Sequence, residues 1–148
     1  MYEMYDDSPR SQRSAPGAPD ASSAGGGTDA PVQWPLKLMR ISPLSPFFHK
    51  AKLLVAADCA AFSYPSFREA FGAECTLVIG CPDAYGERFY AKLAKIIALN
   101  DIIGVTLVRM DSECCNRMRE SVMAAIRASG KDIPLNVATL FAEGETVD

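Results

Sequence analysis

The chain has 148 residues, 49% of them hydrophobic, and a formal net charge of −3, values that suit one compact soluble domain. The slight acidic excess disfavours nucleic acid, whose phosphates call for a concentrated basic face. No apolar stretch reaches the roughly 18–20 residues that cross a bilayer, so no membrane role is expected. The opening Met1-Tyr-Glu-Met-Tyr-Asp-Asp7 lacks the basic and apolar regions of a signal peptide, which predicts a cytoplasmic protein. In that compartment five cysteines read as packed thiols, a metal site or redox groups rather than a disulfide framework.

Residues 1–32 are expected to be a disordered low-complexity tail. Positions 1–31 contain no Leu, Ile, Val, Phe or Trp, and ordering each residue costs about 1–2 kcal/mol of backbone entropy. A single α/β domain is predicted over residues 33–148. Trp34–Ile41 reads as an extended segment that Pro35 confines to a strand start or sheet edge, followed by a proline-paced turn at Ser42–Pro46.

From Lys52 onward strands and helices alternate. Leu53–Ala57 is apolar on both faces, as a strand covered on each side requires. Pro65–Phe71 reads as a short helix opening at proline, and Thr76–Gly80 as a second buried strand. Over Glu87–Asn100, Phe89, Leu93, Ile96 and Ile97 share one helical face while Arg88, Lys92 and Lys95 share another. Gly104–Met110 is a third strand. The helix Glu113–Ser129 turns Met118, Val122, Ala125 and Ile126 inward and ends at Gly130, and Asn136–Phe141 is a last strand. This order predicts a three-layer α/β sandwich with a small, mostly parallel sheet, Rossmann- or flavodoxin-like, joined by right-handed crossovers.

Four cysteines fall where the strands give out: Cys59 after the first, Cys81 after the second, Cys114 and Cys115 after the third. Carboxyl ends of parallel strands share one sheet edge, where ligands bind. Strands lie about 4.8 Å apart, so these thiols have the chance of one common site. Thiolates there suit an iron–sulfur cluster or a metal ion such as zinc; the alternative is that each is a small packed hydrophobe. Ser112 is expected to cap the last long helix, placing Cys114-Cys115 in its first turn, where free N–H groups favour thiolate; adjacent helical side chains point about 100° apart, so the alternative is that one thiol faces the site and the other packs. Cys75 starts its strand and belongs to the opposite edge. Asp58 and Asp111, also at strand ends, suit helix caps or supporting partners. His49, the sole histidine, reads as a surface or packing residue. The corner Gly80-Cys-Pro-Asp-Ala-Tyr-Gly86 carries no dinucleotide or phosphate-loop spacing, so no catalytic residue and no nucleotide cofactor is assigned.

Five blocks carry a resemblance: Trp34–Leu38, Leu53–Phe62, Ile79–Pro82, Val108–Met110 with Cys114-Cys115, and Ser129–Leu135. Together they resemble the C-terminal module of iron–sulfur (4Fe-4S) ferredoxin-type proteins of anaerobic prokaryotes, here without the ferredoxin domain. The resemblance implies an iron–sulfur or metal-binding, redox-associated domain taking part in electron transfer. Cys59, Cys81, Cys114 and Cys115 match the family's cysteines and Cys75 does not. Where the family has Lys after Gly-Cys-Pro this chain has Asp83, and where it has Gly after the paired cysteines this chain has Asn116-Arg117. Two other roles stay open: an interaction module that docks a separate ferredoxin or oxidoreductase subunit, and a thiol-based redox sensor.

Overall fold

A computed structural model describes residues 33–142 and the backbone of Thr146–Val147; the expected tail over residues 1–32 lies outside the described residues. In chain order the elements are β1 (Lys52–Ala57), α1 (Ala60–Ser63), α2 (Phe67–Phe71), β2 (Cys75–Gly80), α3 (Pro82–Tyr85), α4 (Glu87–Leu99), β3 (Gly104–Met110), α5 (Glu113–Ser129), β4 (Leu135–Leu140) and β5 (Thr146–Val147). The sheet order is β2-β1-β3-β4-β5. β1 through β4 run parallel and β5 is antiparallel to β4. This is the expected α/β sandwich with a mostly parallel sheet.

The chain steps from β1 outward to β2 and then back past β1 to β3 and β4. With right-handed crossovers, steps in opposite directions lay their helices on opposite faces. The α1–α2 connection therefore covers one face, and α3, α4 and α5 cover the other. Burial on both faces explains why Leu53, Leu54, Val55, Ala56 and Ala57 are all inside. The amphipathic faces read from sequence are the ones that pack: Phe89, Leu93, Ile96 and Ile97 from α4, and Met118, Val122 and Ala125 from α5. Ile126 is only partly buried at the edge of this core.

Gly80 is set by close approach. A Cβ added there would stand 2.9 Å from Phe89 Cε2 and 3.6 Å from Leu38 Cβ, so only hydrogen lets α4 settle on the end of β2. Gly130 ends α5 with φ of 67°, the left-handed cap expected of glycine.

The amino-terminal segment differs from expectation. Trp34–Ile41 is not a strand but touches β2 through one parallel bridge, Lys37 to Ile79. Beyond it, the Lys37 carbonyl accepts from the amides of Arg40 and Ile41, which coils the chain away. Gln33 does some of the pairing instead: its side-chain amide donates to the Leu77 carbonyl and accepts from the Leu77 N–H. The helix expected from Pro65 begins at Phe67, after Ser66 in a left-handed conformation. Among the described residues no helix is long and apolar enough to cross a membrane.

Candidate functional site

The chain reverses direction across the sheet between β1 and β3, and their carboxyl ends flank the crevice where folds of this order take ligands. The register fixes what arrives there. Ala57 pairs with Gly80, and Ala56 with Val108, so Asp58-Cys59, Cys81 and Asp111-Ser112 leave the sheet at nearly one level. All four rim cysteines are thus carried to the carboxyl edge by the backbone. Cys75, paired with Lys52 at the start of the ladder, lies at the opposite edge, as expected.

Their side chains fare differently. Cys59 stands just before α1 and is exposed, Cys81 and Cys114 are half-buried, and Cys115 is buried. Among the described residues, no group of three or more His, Cys, Asp or Glu side chains is placed to hold a metal ion. As they stand, therefore, the four thiols do not fit a closed tetrathiolate centre or a cluster, each of which needs converging sulfurs.

What does come together is Ser112, Cys114 and Cys115. Both cysteines lie inside regular α5, which starts at Glu113, and Cys115 joins the core. Ser112 occupies the N-cap position, yet its side chain caps no backbone N–H. The expected hydroxyl cap is replaced by a contact of 3.2 Å between Ser112 Oγ and Cys114 Sγ. Burial pushes the Cys115 thiol up; the Ser112 hydroxyl and the Met110 backbone pull it down, and Cys114 pushes it up further. At Cys115 burial therefore outweighs the hydrogen bonds that would favour a thiolate. Burial likewise pushes up Cys75, partly offset by Lys52 and reinforced by Glu74.

Two ties hold this first turn of α5, and neither has a local sequence pattern that announces it. Arg109 on β3 donates from Nη1 to Asn116 Oδ1 at 2.7 Å, while Arg117 pairs with Asp83 on α3. The second tie spans from the corner after β2 to the first turn of α5. It also draws the helix that follows Cys81 against the one that carries Cys114. Behind it a groove of about 710 Å³ runs between α4 and α5, lined by Pro82, Glu87, Tyr90, Glu120 and Ser121 among others, with no cysteine in its wall.

The rim holds unfinished polar business. Among the described residues, Asp58 Oδ1 and Arg109 Nε are buried without a hydrogen-bond partner, and Asp58 caps no helix, since α1 starts without a side-chain cap. Asp111 is exposed, and its amide donates to the Leu140 carbonyl. His49 is exposed at the end of a short 3-10 turn, a surface residue as expected. Phe62, three residues beyond Cys59, is 93% exposed.

Comparisons with known proteins agree with this architecture. Residues 45–148 match the model of a family described as a Rossmann-like domain. An "Uncharacterized protein" of Archaeoglobus fulgidus is 30% identical over 99 residues, which cover 67% of this chain and 70% of that protein. No solved structure matches. With its parallel sheet, its two helical layers and this match across most of its length, the chain belongs to the Rossmann-like domain family.

Proposed function

We propose that this is a cytoplasmic, redox-associated metal-binding domain whose working end is the carboxyl rim of the sheet, with Cys114 and Cys115 as the metal-holding pair. The observation that carries the reading is that two consecutive thiols stand at the start of the helix that follows β3, gathered with the Ser112 hydroxyl. A soft metal ion that binds there replaces the protons of the thiols. The bound ion supplies thiolate–metal chemistry. The protein's own part is to fix the pair on a rigid helix start, with Arg109–Asn116 and Asp83–Arg117 as braces. The redox association rests on the resemblance of the motif blocks to ferredoxin-linked modules. The reading takes two thiols rather than four, because among the described residues no group of three or more ligating side chains is gathered.

Metal analysis of the full chain, purified anaerobically and exposed separately to zinc and to Cu(I) before desalting, tests this. The expected result is about one metal ion per chain, lost in the Cys114→Ser/Cys115→Ser double variant and kept in Cys75→Ser. Metal-free wild-type protein, or equal loss in both variants, contradicts the reading.

A second reading is an interaction module that docks a separate ferredoxin or oxidoreductase subunit. It is favoured by one observation, the exposure of both Phe62 and Cys59 at the short helix that follows β1. An apolar ring held in water beside a functional edge is a common docking anchor.

A further inference from the structure

Consecutive cysteines inside a regular helix differ from a vicinal pair in a loop. Adjacent helical side chains diverge by about 100°, which sets their Cβ atoms roughly 5.3 Å apart. A disulfide demands about 3.8 Å between Cβ atoms and a sulfur–sulfur bond of about 2.05 Å. Cys114 and Cys115 are both held within Glu113–Ser129, with the amides of Cys115 and Asn116 bonded to the Ser112 carbonyl at 3.1 and 3.2 Å. Closing a disulfide would open that turn and strain the two ties that brace it. A bridging cation asks for less. With metal–sulfur bonds of about 2.3 Å, the sulfurs stand about 3.8 Å apart in a tetrahedral arrangement and about 4.6 Å apart in a linear one, both reachable by rotating side chains on an intact helix.

Coordination number follows from the neighbours. Cys115 is 5% exposed and can offer its sulfur from one side only. Ser112 adds a weak, neutral oxygen. No third carboxylate, imidazole or thiol among the described residues joins the pair. Sites of two soft sulfurs and little else favour monovalent, thiophilic ions over hard or high-coordinate ones.

We infer that Cys114 and Cys115 form a two-thiolate clamp for a soft, low-coordinate cation of the monovalent copper class, made without a disulfide and without Cys59 or Cys81. This inference deepens the metal-binding reading above and rests on it. Binding displaces two thiol protons to solvent, and no electron is transferred.

The test is titration of the reduced full chain with Cu(I) under argon against a chromophoric copper(I) chelator. Binding of one Cu(I) per chain is expected, unchanged in Cys59→Ser and Cys81→Ser and weakened at least tenfold in Cys114→Ser and in Cys115→Ala. Because Cys115→Ala removes a core side chain, the circular dichroism of each variant is read alongside. Cys114→Ser, at a half-buried position, keeps the test valid if Cys115→Ala unfolds. Mass spectrometry of the tryptic peptide Met110–Arg117 from air-exposed, folded protein should show two free thiols. Copper binding that disappears in Cys59→Ser or Cys81→Ser, or a peptide lighter by two hydrogens, overturns the clamp while leaving a rim metal site standing. Failure of wild-type protein to take up either copper or zinc overturns both.

Discussion

The two edges of this sheet are built to different standards. At the amino edge polar groups are spent on the fold. Lys131 Nζ donates to the carbonyls of Ile97, Ala98 and Asn100 at 2.9, 3.2 and 2.6 Å, closing the end of α4 with a cation where the helix dipole favours one. Asn100 Nδ2 donates both to Ile96 O and to Pro43 O, fastening the preceding loop to the same helix end. At the carboxyl edge, α1, α3 and α5 all start without side-chain caps, two buried polar atoms lack partners, and four thiols accumulate. An edge that leaves helix starts uncapped and, among the described residues, buried polar atoms unpaired is one where local consistency has been given up, which is where function is expected in a fold of this class.

Substitutions sharpen that contrast. Lys131→Met strips three carbonyls of their donor and should lower stability by about 1–2 kcal/mol, read as a lower thermal midpoint; an unchanged midpoint would mean the amino edge is no better fastened than the rim. A smaller effect is expected from alkaline pH. The raised thiols of Cys115 and Cys75 contribute stability that is complete below the ordinary thiol range. It is lost as pH climbs through their folded values, because the unfolded chain releases those protons first. Denaturant midpoints should therefore hold steady near neutrality and fall above the ordinary thiol pKa, with a shallower fall in Cys115→Ala. A parallel fall in that variant would remove Cys115 from the account. The smallest effect belongs to Cys59→Ser. That thiol is exposed, so the expected change is within about 0.5 kcal/mol, and a larger loss would show the rim to be structurally committed after all.

Much of the fold is legible in the residues because it rests on long, periodic segments. The bounds of β3 and α5 read from sequence are those of the structure. α4 ends one residue earlier than its pattern suggests, at Leu99, because Asn100 turns its side chain back onto Ile96 O. α1 and α3, four residues each, are single turns too short to show a period. Trp34–Ile41 misleads because Leu38 and Ile41 are buried in the core, with Leu36 packed against it, rather than used for a ladder.

The rim itself is half legible. Strand ends place Cys59, Cys81, Cys114 and Cys115 on one edge by topology alone. Which sulfurs meet depends on side-chain direction, and that is decided by details no spacing records: α5 begins before Cys114, Ser112 turns to sulfur, and Asp83 finds Arg117 34 residues away.

X-ray absorption at the copper edge of the Cu(I)-loaded full chain examines the central claim most directly. A first shell of two sulfur neighbours at about 2.2–2.3 Å, without a metal–metal distance, is the result predicted for a clamp made by Cys114 and Cys115. A shell of four sulfurs, or one made of nitrogen and oxygen alone, would contradict it.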